Sequence, residues 1–126
     1  MFPGRWARSV ACFLGALIFS VFAASSTSAH AVLVVSRPAL QSIVTGPDVT
    51  LKLRFNVRID VVRSRLTLIL PDGPMQMLEI DKETAPDTIS SQAKGLQPGT
   101  YRLRWQVLAS DGHITRGEIP FTVTKS

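Results

Sequence analysis

From residue 30 onward the chain alternates between apolar and polar positions. In DVTLKLRF, Val49, Leu51, Leu53 and Phe55 fall on one side and Thr50, Lys52 and Arg54 on the other. SRLTLIL repeats the pattern through Leu66, Leu68 and Leu70. TYRLRWQV repeats it through Tyr101, Leu103, Trp105 and Val107, with Arg102, Arg104 and Gln106 opposite, and IPFTVT through Ile119, Phe121 and Val123. A period of two is that of a strand with one buried face, and no segment shows the helical period. Weaker strands are expected at 31–36, 76–80 and 88–93. The turn formers Gly46-Pro47, Pro71-Asp72-Gly73-Pro74, Ala85-Pro86-Asp87, Pro98-Gly99 and Asp111-Gly112 separate the runs. About seven one-sided strands must bury their apolar faces against one another. The pattern therefore predicts an all-β protein, an antiparallel β-sandwich with immunoglobulin-like architecture. LQPGTY places Tyr101 where a tyrosine corner would stand, and Trp105 falls among the inward positions. The Cys-Trp-Cys pattern of antibody domains is absent.

The first 29 residues read differently. Arg5 and Arg8 precede an apolar run over 10–24, and small residues fill 25–29, the layout of a secretory signal peptide. The run is short for a membrane span, which needs about 20 residues. An uncleaved anchor is the alternative. Cleavage after Ala29 leaves residues 30–126 as one small domain. Cleavage after Ala31 satisfies the small-residue rule equally well, through Ala29 and Ala31, and discards His30. Either cut removes Cys12, the one cysteine, so disulfides and thiolate metal sites are excluded from the exported domain. Loss of Arg5 and Arg8 also lowers the formal charge from +5 to +3. The remaining basic residues are scattered among apolar positions, as on solvent faces of strands, and an exported chain of this kind is not expected to bind nucleic acid.

Two histidines remain as candidate chemistry, His30 and His113. The second stands in SDGH, which reads first as a hairpin turn, since Asp-Gly readily takes positive backbone angles. If the strand carrying Trp105 stays extended to its end, Asp111 and His113 also project to one side, a carboxylate beside an imidazole. His30 adds two nitrogens if it is the first residue after export. Its free α-amine, with a pKa of about 8, and its imidazole can close a six-membered chelate. Such an N,N,N,O set without sulfur suits tetragonal Cu(II), with tetrahedral Zn(II) as the competitor.

HAVLVVSRPA, then PDVTLKLRF, then LQPGTYRLRWQVLASDGHITRGEIPFTV resembles the CopC family of periplasmic copper-binding proteins, which also occur as domains attached to copper-transport membrane proteins. The resemblance spans essentially all of 30–126. It implies a Greek-key sandwich of about seven strands, cleavage immediately before His30, and one Cu(II) per chain held by His30, Asp111 and His113. It implies a periplasmic carrier or buffer in copper homeostasis or resistance, without enzymatic activity. Such a protein would be monomeric, free of the membrane after cleavage, and partnered by the copper ion and by a CopD-like inner-membrane copper transporter. Two departures matter. Relatives with a second, Cu(I) site carry a methionine-rich loop, whereas only Met75 and Met77 follow the leader here, so no Cu(I) site is expected and both are expected to pack. NVRID stands after Phe55 where many relatives are acidic, and brings Arg58 near the candidate site. Two other function classes compete: a metal-free exported interaction module in which SDGH is only a turn, and a copper histidine-brace monooxygenase, for which the domain leaves little room for a substrate face.

Overall fold

Residues that alternate in polarity also alternate in burial, and this sorts the chain into two layers. The computed structural model describes residues 30–82 and 85–126; the expected signal peptide lies outside the described residues. Among the described residues eight strands form: β1 Leu33–Arg37, β2 Ser42–Thr45, β3 Val49–Phe55, β4 Ile59–Ile69, β5 Met75–Leu78, β6 Thr88–Ala93, β7 Gly99–Ala109 and β8 Ile114–Thr124. One sheet has the order β1-β3-β6, the other β2-β8-β7-β4-β5. Only β4–β5 and β7–β8 are consecutive neighbours within a sheet, so the chain otherwise crosses between layers in Greek-key fashion. Among the described residues no helix is long and apolar enough to cross a membrane.

The core lies between the layers. Leu51, Leu53 and Phe55 of β3 face Leu66 and Leu68 of β4 and Leu103, Trp105 and Val107 of β7, all buried. Trp105 meets Phe55 edge to face, with ring centroids 5.2 Å apart at 67°. Its indole also lies over the backbone of Gly117, its cross-strand partner on β8. A Cβ at 117 would stand 2.4 Å from Cζ2 of Trp105, so glycine is the side chain that fits beneath the ring. The tyrosine corner is formed: the Tyr101 hydroxyl donates to the Gln97 carbonyl at 2.7 Å, and its ring stacks on Phe121.

Three features depart from the sequence reading. β2 was not expected, and it pairs parallel to the end of β8 in an otherwise antiparallel architecture. Its pattern is illegible because Ile43, its central apolar residue, points outward and is 71% exposed. β4 begins five residues before the alternation does, because its register slips between Asp60 and Arg65. The Asp60 carboxylate accepts from the Arg63 N–H at 3.2 Å, and Ser64 Oγ donates to the Asp60 carbonyl at 2.6 Å while accepting from the Leu108 N–H at 3.2 Å. This bulge carries the chain to the far end of β7. The expectation that Met75 and Met77 pack is overturned: they are 64% and 68% exposed. They pair with Ile69 and Thr67, and Leu78 is the residue of β5 that turns into the core.

Candidate metal centre

Three elements meet at one end of the sandwich: the start of the described chain, the β3–β4 link and the β7–β8 turn. Four residues, 110–113, connect the two strands. The Ala109 N–H donates to the His113 carbonyl at 2.9 Å, and the Gly112 N–H donates to the Ala109 carbonyl at 2.9 Å. Gly112 takes φ of 90°, the left-handed conformation that glycine adopts without steric cost. Asp111 does not share it, so the pair of positive angles expected of a two-residue Asp-Gly turn is not what closes this hairpin. The turn is tied to β4 from beneath: Ile59 pairs with Ala109, and the Ser110 N–H donates to the Arg58 carbonyl at 3.0 Å. Arg58 therefore touches the turn through its backbone.

Asp111 and His113 do come together, but by another route than strand parity. β7 ends at Ala109, so Asp111 sits in the turn itself. One carboxylate oxygen accepts the His113 backbone N–H at 3.0 Å, an Asx-type contact across two residues. The other lies 3.1 Å from His113 Nδ1. The backbone bond from His113 is the main cause that holds the Asp111 carboxyl below its ordinary value. Burial opposes it, and the His113 side chain and then the His30 imidazole add to the lowering. A carboxylate kept ionised beside two imidazoles favours any cation that those imidazoles can also reach.

His30 supplies the second imidazole. Its ring centroid lies 5.1 Å from that of His113, edge to face at 67°. The backbone places it there: Ala31 is 2% exposed with its methyl in the core. The Val32 N–H donates to Asn56 Oδ1 at 2.7 Å, and the Asn56 N–H donates to the Val32 carbonyl at 3.0 Å. Both histidines are exposed, and all three side chains are open to solvent at one rim. Among the described residues no group of three His, Cys, Asp or Glu side chains is already drawn around a common point. Both Asp111 oxygens are taken by His113, and the backbone nitrogen of His30 is an amide following Ala29. Nδ1 of His113 is the nitrogen facing the carboxylate, which leaves Nε2 as its open donor. Asn56 is the neighbour that the sequence did not reveal; its only signal was its place one step past the DVTLKLRF alternation.

Comparison with known proteins agrees with this architecture. The family model for the CopC domain matches residues 33–124. Copper resistance protein C of Xanthomonas campestris pv. juglandis is 32% identical over 124 residues, covering 92% of this chain and 96% of that protein. The crystal structure of CopC from Methylosinus trichosporium OB3b superposes with a TM-score of 0.69 at 27% identity, over 76% of this chain and 95% of that one. PcoC, a methionine-rich copper resistance protein from Escherichia coli, gives a TM-score of 0.63 at 27% identity, over 76% of this chain and all of that one. With a matching domain over most of its length and relatives that share its sandwich, this chain belongs to the CopC family.

Proposed function

We propose that this protein is an exported, periplasmic copper-binding protein that carries or buffers one Cu(II) ion per chain, without catalytic turnover. The donors are the α-amine and imidazole of His30, a carboxylate oxygen of Asp111 and an imidazole nitrogen of His113. The observation that carries this reading is the approach of the two histidine rings to 5.1 Å, with one of them, His113, already in contact with the Asp111 carboxylate. The chain holds two histidines, and the fold brings both to one rim.

The donor chemistry fits the ion. Three nitrogens and one oxygen without sulfur match the tetragonal preference of Cu(II), which also heads the affinity order of the divalent first-row metals. Cleavage after Ala29 turns the His30 amide into a free amine, so export itself supplies the fourth donor. The carboxylate in the set takes a position that an oxygen-activating site would keep open, which argues for carriage over oxidation chemistry. Met75 and Met77 present two thioethers on the outer face of β5, without the further methionines of a methionine-rich loop in residues 30–126. Membership of the CopC family supports copper as the cargo, and a CopD-like inner-membrane transporter as its partner.

The test is a Cu(II) titration of the protein beginning at His30, followed by its visible d-d band and by electron paramagnetic resonance, beside His113→Ala. The expected result is one tight equivalent with a nitrogen-rich signal, and a weaker, altered site in the variant. Identical behaviour of the two proteins, or no d-d band in either, would overturn the reading.

A further inference from the structure

We infer that Asn56 is the positioning residue of this metal site, fixing the N-terminal arm so that His30 stands beside His113. The inference rests on the Cu(II) reading proposed above. The last ladder pair between β1 and β3 is Leu33 with Phe55. One step beyond it, residues 32 and 56 close a ring of two hydrogen bonds. The Val32 N–H donates to the Asn56 side-chain oxygen at 2.7 Å, and the Asn56 backbone N–H donates to the Val32 carbonyl at 3.0 Å. The backbone of residue 56 supplies one bond whatever its side chain; the other needs an acceptor on a short stem, which asparagine provides and an apolar residue does not.

This clasp lies two residues from His30, and the residue between is the buried Ala31. Successive Cα atoms are about 3.8 Å apart, so a fixed Val32 and a seated Ala31 leave His30 only a short radius in which to move. The chelate of the His30 amine with its own imidazole is local and survives any motion of the arm. Joining that chelate to Asp111 and His113 is what requires the arm to be held. Ordering one backbone residue costs about a factor of ten in an equilibrium constant, and Asn56 meets that cost before the metal arrives. Asn56 itself is exposed, so its replacement leaves the core intact.

The experiment compares the wild type, Asn56→Ala and Asn56→Asp, each beginning at His30, with His113→Ala as control. In the metal-free proteins, exchange of the Val32 amide hydrogen should be faster in Asn56→Ala and slow in Asn56→Asp, which keeps the acceptor. Apparent Cu(II) affinity should fall about tenfold in Asn56→Ala, with the d-d band moved to longer wavelength as the distal donors are lost, and both should return in Asn56→Asp. Unchanged Val32 exchange in Asn56→Ala would overturn the inference, as would wild-type affinity and spectrum in that variant, or equal losses in the two variants. If the wild type and His113→Ala bind copper alike, the Cu(II) reading itself has failed, and the inference falls with it.

Discussion

Gly117→Ala isolates one contact that the packing makes critical. A methyl at 117 would lie 2.4 Å from Cζ2, 2.6 Å from Cε2 and 2.8 Å from Nε1 of Trp105. Comfortable separation between such atoms is about 3.5–4.0 Å, so strand or ring must yield by roughly 1 Å. The ring has little room to do so. Trp105 is 6% exposed, and Phe55 stands against it at 5.2 Å, in an interior packed as densely as an organic crystal. Overpacking of this kind costs about 1–3 kcal/mol, and rigid atoms on both sides place this case near 2 kcal/mol. At about 4–8 °C per kcal/mol for a domain of this size, the thermal midpoint should fall by about 8–16 °C. Urea unfolding of residues 30–126 followed by tryptophan fluorescence gives the free energy directly, since Trp105 is the one tryptophan in that span. Repeating the substitution in Trp105→Leu separates the clash from any effect on strand propensity, because the methyl should then cost little. A Gly117→Ala protein within about 0.5 kcal/mol of wild type, or one equally destabilised in both backgrounds, would refute the argument; a surface change is worth about that much.

Four further outcomes are expected. In the protein beginning at His30, one residue added ahead of it converts the proposed amine donor to an amide, and competition against a Cu(II) chelator should show high-affinity binding abolished. Tyr101→Phe removes the hydroxyl that donates to the Gln97 carbonyl at 2.7 Å, and should cost about 1 kcal/mol in urea unfolding with an unchanged m-value. Copper should be released as pH falls, because protons compete for the amine and both imidazoles, and a pH series of the d-d band checks it. In the metal-free protein the Asp111 carboxyl should titrate by NMR below the usual carboxylate range. A depressed folded value means that its contribution to stability is present above the unfolded pKa and fades as pH falls through the folded one.

The strands that carry the core were legible because their two faces differ. β3, β7 and the end of β8 announce themselves through Leu51, Leu103 and Val123, each flanked by polar residues on the strand. β2 was not legible: it is four residues long, and its apolar Ile43 faces solvent. Its partner lies nearly eighty residues away in β8, a pairing that no local pattern encodes. The methionines misled for the opposite reason, since apolar character suggested burial, while the pairing of Met77 with Thr67 turned the residue outward. At the candidate site the residue types were readable and the mechanism of their approach was not. Asp111 and His113 meet through a turn whose carboxylate folds back on the next but one N–H. The contribution of Asn56 depends on a hydrogen bond between residues 24 apart, which only the folded chain displays.

The contact between the His30 and His113 rings joins residues 83 positions apart in the sequence. Contacts so distant close large loops, at an entropic cost that the strand pairings between them must offset. A chain only partly collapsed therefore holds the two rings apart, and offers a metal at most a single histidine. The rim at which they meet is thus a property of the finished molecule, and occupancy of that rim would report that folding is complete.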